Sequence, residues 1–163
     1  MRRAFTFAAC VIVGVTLVGN LRVSGQTKDP RIGRWQLNLS KSKLTGTPPK
    51  SVTRSYEDRG GGVVLFMVTT VTATGTTNAT MVLYKLDGKD YAQVPREAET
   101  RTVVSQRLVD ARTIEAVTKA DGKVVSTFTQ VVSADGKTLT YTLKDAQGKP
   151  TGVVQVFDRQ STT

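Results

Sequence analysis

Beyond residue 26 no stretch repeats apolar residues at i, i+3, i+4 and i+7. What recurs is alternation of apolar and polar positions, bounded by turn residues at short, even spacing. Residues 34–40 read as a first strand, with Trp35, Leu37 and Leu39 on one face and Arg34, Gln36 and Asn38 on the other. Residues 40–47 are polar, with room for one short helical turn. Pro48-Pro49 then sets an extended entry to 51–58. Gly60-Gly61-Gly62 marks a turn into the long apolar strand 63–73, which turns at Thr74-Gly75 into 77–86. Asp87-Gly88 is a hairpin signal, and Pro95 argues against a central strand over 91–99. The pairs 101–109 and 113–119, then 124–133 and 138–144, and finally 153–159 complete the pattern. Turns at Asp110-Ala111, Asp121-Gly122, Asp135-Gly136 and 147–150 separate them. This predicts nine strands, or ten if 90–93 pairs.

A meander of short strands either folds into a sandwich or closes into an up-and-down barrel, and closure removes both vulnerable edges. Thr138, Thr140 and Thr142 alternate with Leu139, Tyr141 and Leu143, which gives one wet and one dry face. No internal repeat and no low-complexity linker divides the chain.

The first 25 residues differ in kind. Met1-Arg2-Arg3 precedes an apolar run over 4–18, and Val23-Ser24-Gly25 supplies small or tolerated residues at a cleavage site. This is the pattern of a secretory signal peptide, and the run is short against the roughly 20 residues of a spanning helix. The expectation is a signal peptide over 1–25, cleaved near Gly25, and one β-barrel domain over 26–163, secreted or periplasmic and without a transmembrane span once cleaved. An uncleaved anchor is the competing reading. Cleavage would leave 138 of the 163 residues, with 20 basic against 13 acidic side chains, a net charge of +7, and no cysteine. With no histidine anywhere, a Ser-His-Asp triad, a Cys-His pair, a His/Cys zinc site and a His-ligated haem are all excluded. No cofactor and no metal is expected.

Gly33-Arg34-Trp35 opens the first strand in DPRIGRWQLN, and Arg159 closes the last in VVQVFDRQ. This resembles the lipocalin-like, or calycin, pattern, in which Gly-x-Trp begins the first strand and a basic residue near the end of the last packs across the indole. With it, the segments SKSK (40–43), PPKS (48–51), LDGKDY (86–91) and SADGKTLT (133–140) are similar to a group of small secreted bacterial proteins of that fold. The resemblance covers roughly 29–160. It implies an all-β, antiparallel up-and-down barrel of about 8–10 strands, closed by Gly33, Trp35 and Arg159. It implies no catalytic residue, because the group has no agreed activity.

Barrels of this size either fill with side chains or hold one small ligand. The first functional reading is binding of a small apolar or amphipathic molecule inside the barrel. Val63, Leu65, Met67, Met81, Leu83, Phe128, Val132, Tyr141 and Phe157 would be inward, in a cavity lined by aliphatics and threonines. Arg54, Arg101 and Arg107 lie within strands, and a guanidinium among tyrosine hydroxyls (Tyr56, Tyr84, Tyr91, Tyr141) suits a carboxylate. The ligand-binding set is therefore Trp35, Arg54, Tyr56, Met67, Tyr84, Arg107, Phe128 and Tyr141. The alternative is a filled core and an outer surface that meets an anionic envelope component or a protein partner, through Lys89, Lys123, Lys137 and Lys149 at the turns. Nucleic acid is disfavoured by the secretory address. Catalysis is not expected: the acidic pairs Glu57-Asp58 and Glu97/Glu99 flank turns or irregular segments, and adjacent carboxylates on a strand point to opposite faces.

Overall fold

The computed structural model describes residues 29–95 and 101–161. The expected signal segment and Glu97/Glu99 lie outside them. Ten strands form a closed antiparallel barrel in which each strand pairs with its sequence neighbours and β1 pairs with β10. They are β1 (Gly33–Leu37), β2 (Ser51–Asp58), β3 (Val64–Val71), β4 (Thr77–Tyr84), β5 (Asp87–Pro95), β6 (Thr102–Leu108), β7 (Thr113–Ala120), β8 (Lys123–Val132), β9 (Thr138–Lys144) and β10 (Pro150–Gln160). The choice between sandwich and barrel falls to the barrel.

Three local expectations are corrected. The first strand stops at Leu37, and Leu39–Lys41 forms a 3-10 turn capped by Asn38, whose side-chain oxygen accepts the Lys41 amide at 3.1 Å. That releases Leu39 to solvent rather than to the core. Asp87-Gly88 does lie at the fold-back of the β4–β5 hairpin, as the Val82–Gln93 register shows, but it is already the start of β5 rather than a turn outside the strands, and the register against β6 shifts between Asp87 and Asp90. Gly88, at φ +76°, supplies the left-handed residue that such a bulge takes up. Pro95 sits at the last position of β5, opposite Thr80, where a missing N–H interrupts little of the ladder.

The largest correction concerns parity in β3 and β4. Val64, Val82 and Tyr84 are buried and Phe66 and Val68 pack on the core, so Met67, Met81 and Leu83 point outward with 40–56% exposure. Leu65 shares their face by alternation. The run Val63 to Val68 is apolar at every position, so alternation within it carries no parity. Register supplies what the pattern lacks: Tyr56 faces Phe66 across β2–β3, and Phe66 faces Val82 across β3–β4. Denaturant unfolding of two truncations checks this assignment. Val82→Ala costs about 1–3 kcal/mol, as removal of buried methyls does, whereas Leu83→Ala stays within about 0.5 kcal/mol.

The barrel has two distinct ends. The β2–β3, β4–β5, β6–β7 and β8–β9 turns gather with the start of β1 and the end of β10 at one end. The β1–β2, β3–β4, β5–β6, β7–β8 and β9–β10 connections gather at the other. The buried cluster runs from Trp35, Tyr84, Leu139 and Phe157 near the first end to Val52 and Val104 toward the other.

Candidate functional site

The first end is closed by the segment that precedes β1. Gly33 has φ +128° and lies opposite Tyr56 in the β1–β2 register. Its bare Cα admits the Arg159 guanidinium, which passes so close that a Cβ would meet Nη1 at 2.6 Å. Arg159 and Trp35 are register partners, and the guanidinium carbon sits 4.0 Å from the centroid of the fully buried indole. The same guanidinium donates to the carbonyls of Gly136 (2.5 Å), Ile32 (2.7 Å) and Pro30 (3.2 Å). One side chain thus ties the last strand, the β8–β9 turn and the entry segment together.

Inside this closure lies a second arginine, which the sequence reading passed over. Arg31 is 1% exposed and points into the barrel. Asp29, two residues earlier, takes Nε at 3.0 Å and Nη2 at 2.8 Å in a bidentate pair. Nη1 donates to Gln106 Oε1 at 2.7 Å and to Gln130 Oε1, and Nη2 also reaches the Tyr84 hydroxyl at 2.7 Å. That hydroxyl donates onward to Asp29 Oδ2 at 2.5 Å, and Gln130 Nε2 donates to Tyr56 at 3.1 Å. Trp35 Nε1 caps the assembly by donating to the Arg31 carbonyl at 2.7 Å. Burial alone would raise the Asp29 carboxyl, but the Arg31 charge and hydrogen bonds from Arg31 and Tyr84 outweigh it and hold the group below the usual carboxylate range. Burial pushes the Tyr84 phenol well above its ordinary value, so it stays protonated as a donor.

Farther from the closed end, Arg54 projects inward from β2 at 9% exposure, and it is furnished quite differently. Its one side-chain hydrogen bond runs from Nη2 to Gln155 Oε1 at 3.3 Å, and its buried Nε has no partner. The rings of Tyr141, Phe157 and Phe66 lie 4.6, 4.8 and 5.7 Å from the guanidinium carbon. Between the two arginines is a void of about 30 Å³, bounded by both of them and by Tyr56, Gln93, Gln106 and Gln130 among others. Polar and aromatic groups dominate its lining, with Val82 and Val104 the only aliphatics and no threonine of those expected, because Arg54, Gln93, Gln106 and Gln130 take inward positions in four strands and Arg31 enters from the approach to β1.

Of the residues proposed for a ligand, Arg54, Tyr56 and Phe128 line this void. Tyr141 stacks on Arg54 and on Phe128, the latter at 4.9 Å between centroids. Tyr84 belongs to the Arg31 assembly, and Trp35 lies beneath it at the closure. Met67 is a correction: it is outward, paired across the outer face with Met81. Arg107 is another, exposed and bound to Glu115 at 2.7 Å on the outside of β6–β7; Arg101 is exposed as well. Asp29, Arg31, Gln93, Gln106, Gln130 and Gln155 were missed. For Gln106 and Gln130 a signal existed: each interrupts an apolar face, between Val104 and Leu108 and between Phe128 and Val132. A wider hollow of about 420 Å³ involves Ser105, Arg107, Glu115, Thr127, Thr129 and Lys144, most of them outward by alternation. It does not communicate with the Arg54 layer through any shared side chain other than Gln106 and Phe128.

Among the described residues there is no cluster of three His, Cys, Asp or Glu placed to hold a metal ion, and no helix long and apolar enough to cross a membrane. No protein-family model matches the chain, and no curated protein matches it. Solved structures do. The fluorescent protein UnaG, in a form with one asparagine changed to alanine, aligns with a TM-score of 0.54 at 20% identity, over 82% of this chain and 98% of that one. A form with the same asparagine changed to glutamine gives 0.53 at 21%, over 80% and 96%. The wild type gives 0.50 at 21%, over 79% and 96%. At this identity the likeness is one of fold.

Proposed function

We propose that this chain is a binding protein, secreted or periplasmic, that holds one small amphipathic molecule inside its barrel and catalyses no reaction on it. The observation that carries the reading is the contrast between two polar layers of one core. Around Arg31 each strong donor and acceptor is matched. Around Arg54 a buried N–H is left without a partner beside a void. Buried polar groups are ordinarily satisfied, so an unmatched one facing empty space suits a partner brought from outside. Similarity of fold to UnaG is compatible with an interior site and does not identify its occupant.

Purification from the native host, followed by solvent extraction and mass spectrometry, tests this. A small molecule bound near one per chain is the expected result, and the protein's own mass should begin at Gln26. A protein free of any extractable compound would favour the surface reading. That second reading has weaker support, because Lys89 and Lys137 lie toward the closed end while Lys123 and Lys149 lie toward the other, a scatter that defines no single face.

A further inference from the structure

We infer that the void beside Arg54 is a site for a planar oxyanion, either a free small anion or the carboxylate end of a longer acid. The inference rests on the interior-binding reading and adds the chemical class of the occupant. Its first support is charge. The buried charged residues among those described are Asp29, Arg31 and Arg54, two cations and one anion. Asp29 spends both oxygens on Arg31 and Tyr84. Arg54 therefore sits in the barrel with no carboxylate to offset it, and no ion pair among the described residues includes it. A buried cation in that position is costly, and an anion entering the void removes the cost.

The second support is geometry. Tyr141, Phe157 and Phe66 surround the guanidinium with ring faces, which attract the charge but accept no in-plane hydrogen bond. Five N–H donors leave a guanidinium in its own plane. One is used, at the long distance of 3.3 Å, and the buried Nε–H is unused. A planar acceptor with two oxygens fits that fork better than a spherical ion. The Gln93 amide, from β5, also lines the void, makes no hydrogen bond with a described residue and offers a further donor to it.

The third support is size. One water needs roughly 10–15 Å³ of such space, so a void of about 30 Å³ takes two or three heavy atoms. That matches the three heavy atoms of a carboxylate, with nitrate one atom larger, and leaves no room for an alkyl chain unless side chains toward the open end move aside.

The probes are sodium formate, sodium nitrate, sodium chloride, formamide and palmitate, added to the full chain at low ionic strength. The readouts are the thermal midpoint and the NMR resonance of the Arg54 Nε–H. Formate and nitrate are expected to raise the midpoint saturably and to shift that resonance, with chloride at least tenfold weaker. In Arg54→Met, formate affinity falls at least tenfold. In Arg54→Lys, which keeps the charge but not the fork, formate loses its advantage over chloride. Removing an uncompensated buried cation does not threaten folding, and the wild-type resonance gives a readout that needs no variant. An unmoved Nε–H, or equal responses of wild type and Arg54→Met, overturns the inference. If formamide binds both of those proteins alike while the anions do not bind, the interior-binding reading stands and the oxyanion falls. If none of the probes enters, both fall. Competition of palmitate with formate assigns the site to the end of a longer acid; formate binding untouched by palmitate assigns it to a free small anion.

Discussion

Asp29→Asn lowers the stability of the barrel by about 3–5 kcal/mol, because it strips the counter-charge from a fully buried guanidinium while leaving the guanidinium in place. Arg31 cannot shed its proton to escape: burial opposes its charge, but the phenol oxygens of Tyr84 and Tyr56 and the charge and hydrogen bonds of the Asp29 carboxylate outweigh it and leave Arg31 more firmly protonated than a free arginine. The neutral amide still fills the space and still accepts a hydrogen bond, so the loss is one of charge rather than packing. Against a typical total of about 5–15 kcal/mol, an effect of this size lowers the thermal midpoint by about 10–20 °C. The acid limb of the stability curve supplies an independent check. A carboxyl held below its unfolded value near 3.9 contributes stability that is fully present above that pH, and it is lost as pH falls through the lower folded value. Denaturant midpoints of wild type and Asp29→Asn should therefore lie far apart at pH 7 and converge as the pH falls below about 4. The lowered carboxyls of the exposed Asp87, Asp110 and Asp135 and of the half-buried Asp158 are common to both proteins, so they cancel in the comparison. Parallel curves down to pH 2 would show that the Asp29 charge does not hold Arg31.

The scale of that effect marks what the sequence displayed and what it did not. Alternation made the strands legible wherever apolar and polar residues truly alternate, as in 51–58, 113–119 and 138–144. It failed where every position is apolar. In β3 parity comes from Tyr56 facing Phe66 across the sheet, a relation between residues on different strands. The single tryptophan and the terminal arginine were visible because a glycine beside the indole and a cation in the last strand are a paired signature. Arg31 was not. It lies in a short loop before the first strand, where a charged side chain is ordinarily solvated. Only the fold brings Gln106 and Gln130, from strands on the far side of the barrel, within reach of it. Arg54 was visible as a candidate by its position within a strand, but its isolation was not. Whether a strand arginine has a partner depends on which acids share its face in three dimensions, and here Glu115 takes Arg107, Glu57 takes Arg59, and none reaches Arg54.

Gly33→Ala should cost about 3 kcal/mol or more, and the way it couples to Arg159 identifies the cause. Two penalties are superposed. A residue with a Cβ at φ +128° is strained by about 1–3 kcal/mol wherever it occurs. In addition the new methyl would stand 2.6 Å from Arg159 Nη1 and push the guanidinium off the indole and off the Ile32 and Pro30 carbonyls. Trp35 is the only tryptophan in the chain, so its fluorescence reports on this one place. Emission from the buried, cation-covered indole should shift to the red in Gly33→Ala, and in Arg159→Ala as the cover is removed. The double variant separates the penalties. With Arg159 already gone there is nothing for the methyl to displace, so Gly33→Ala in that background should cost only the backbone term, about 1–3 kcal/mol. The two losses then sum to more than the double variant shows, a coupling expected of residues in direct contact. Strict additivity, with the emission of Gly33→Ala unchanged, would mean that the glycine serves the backbone alone and that the closure does not depend on the fit of Arg159 against its bare Cα.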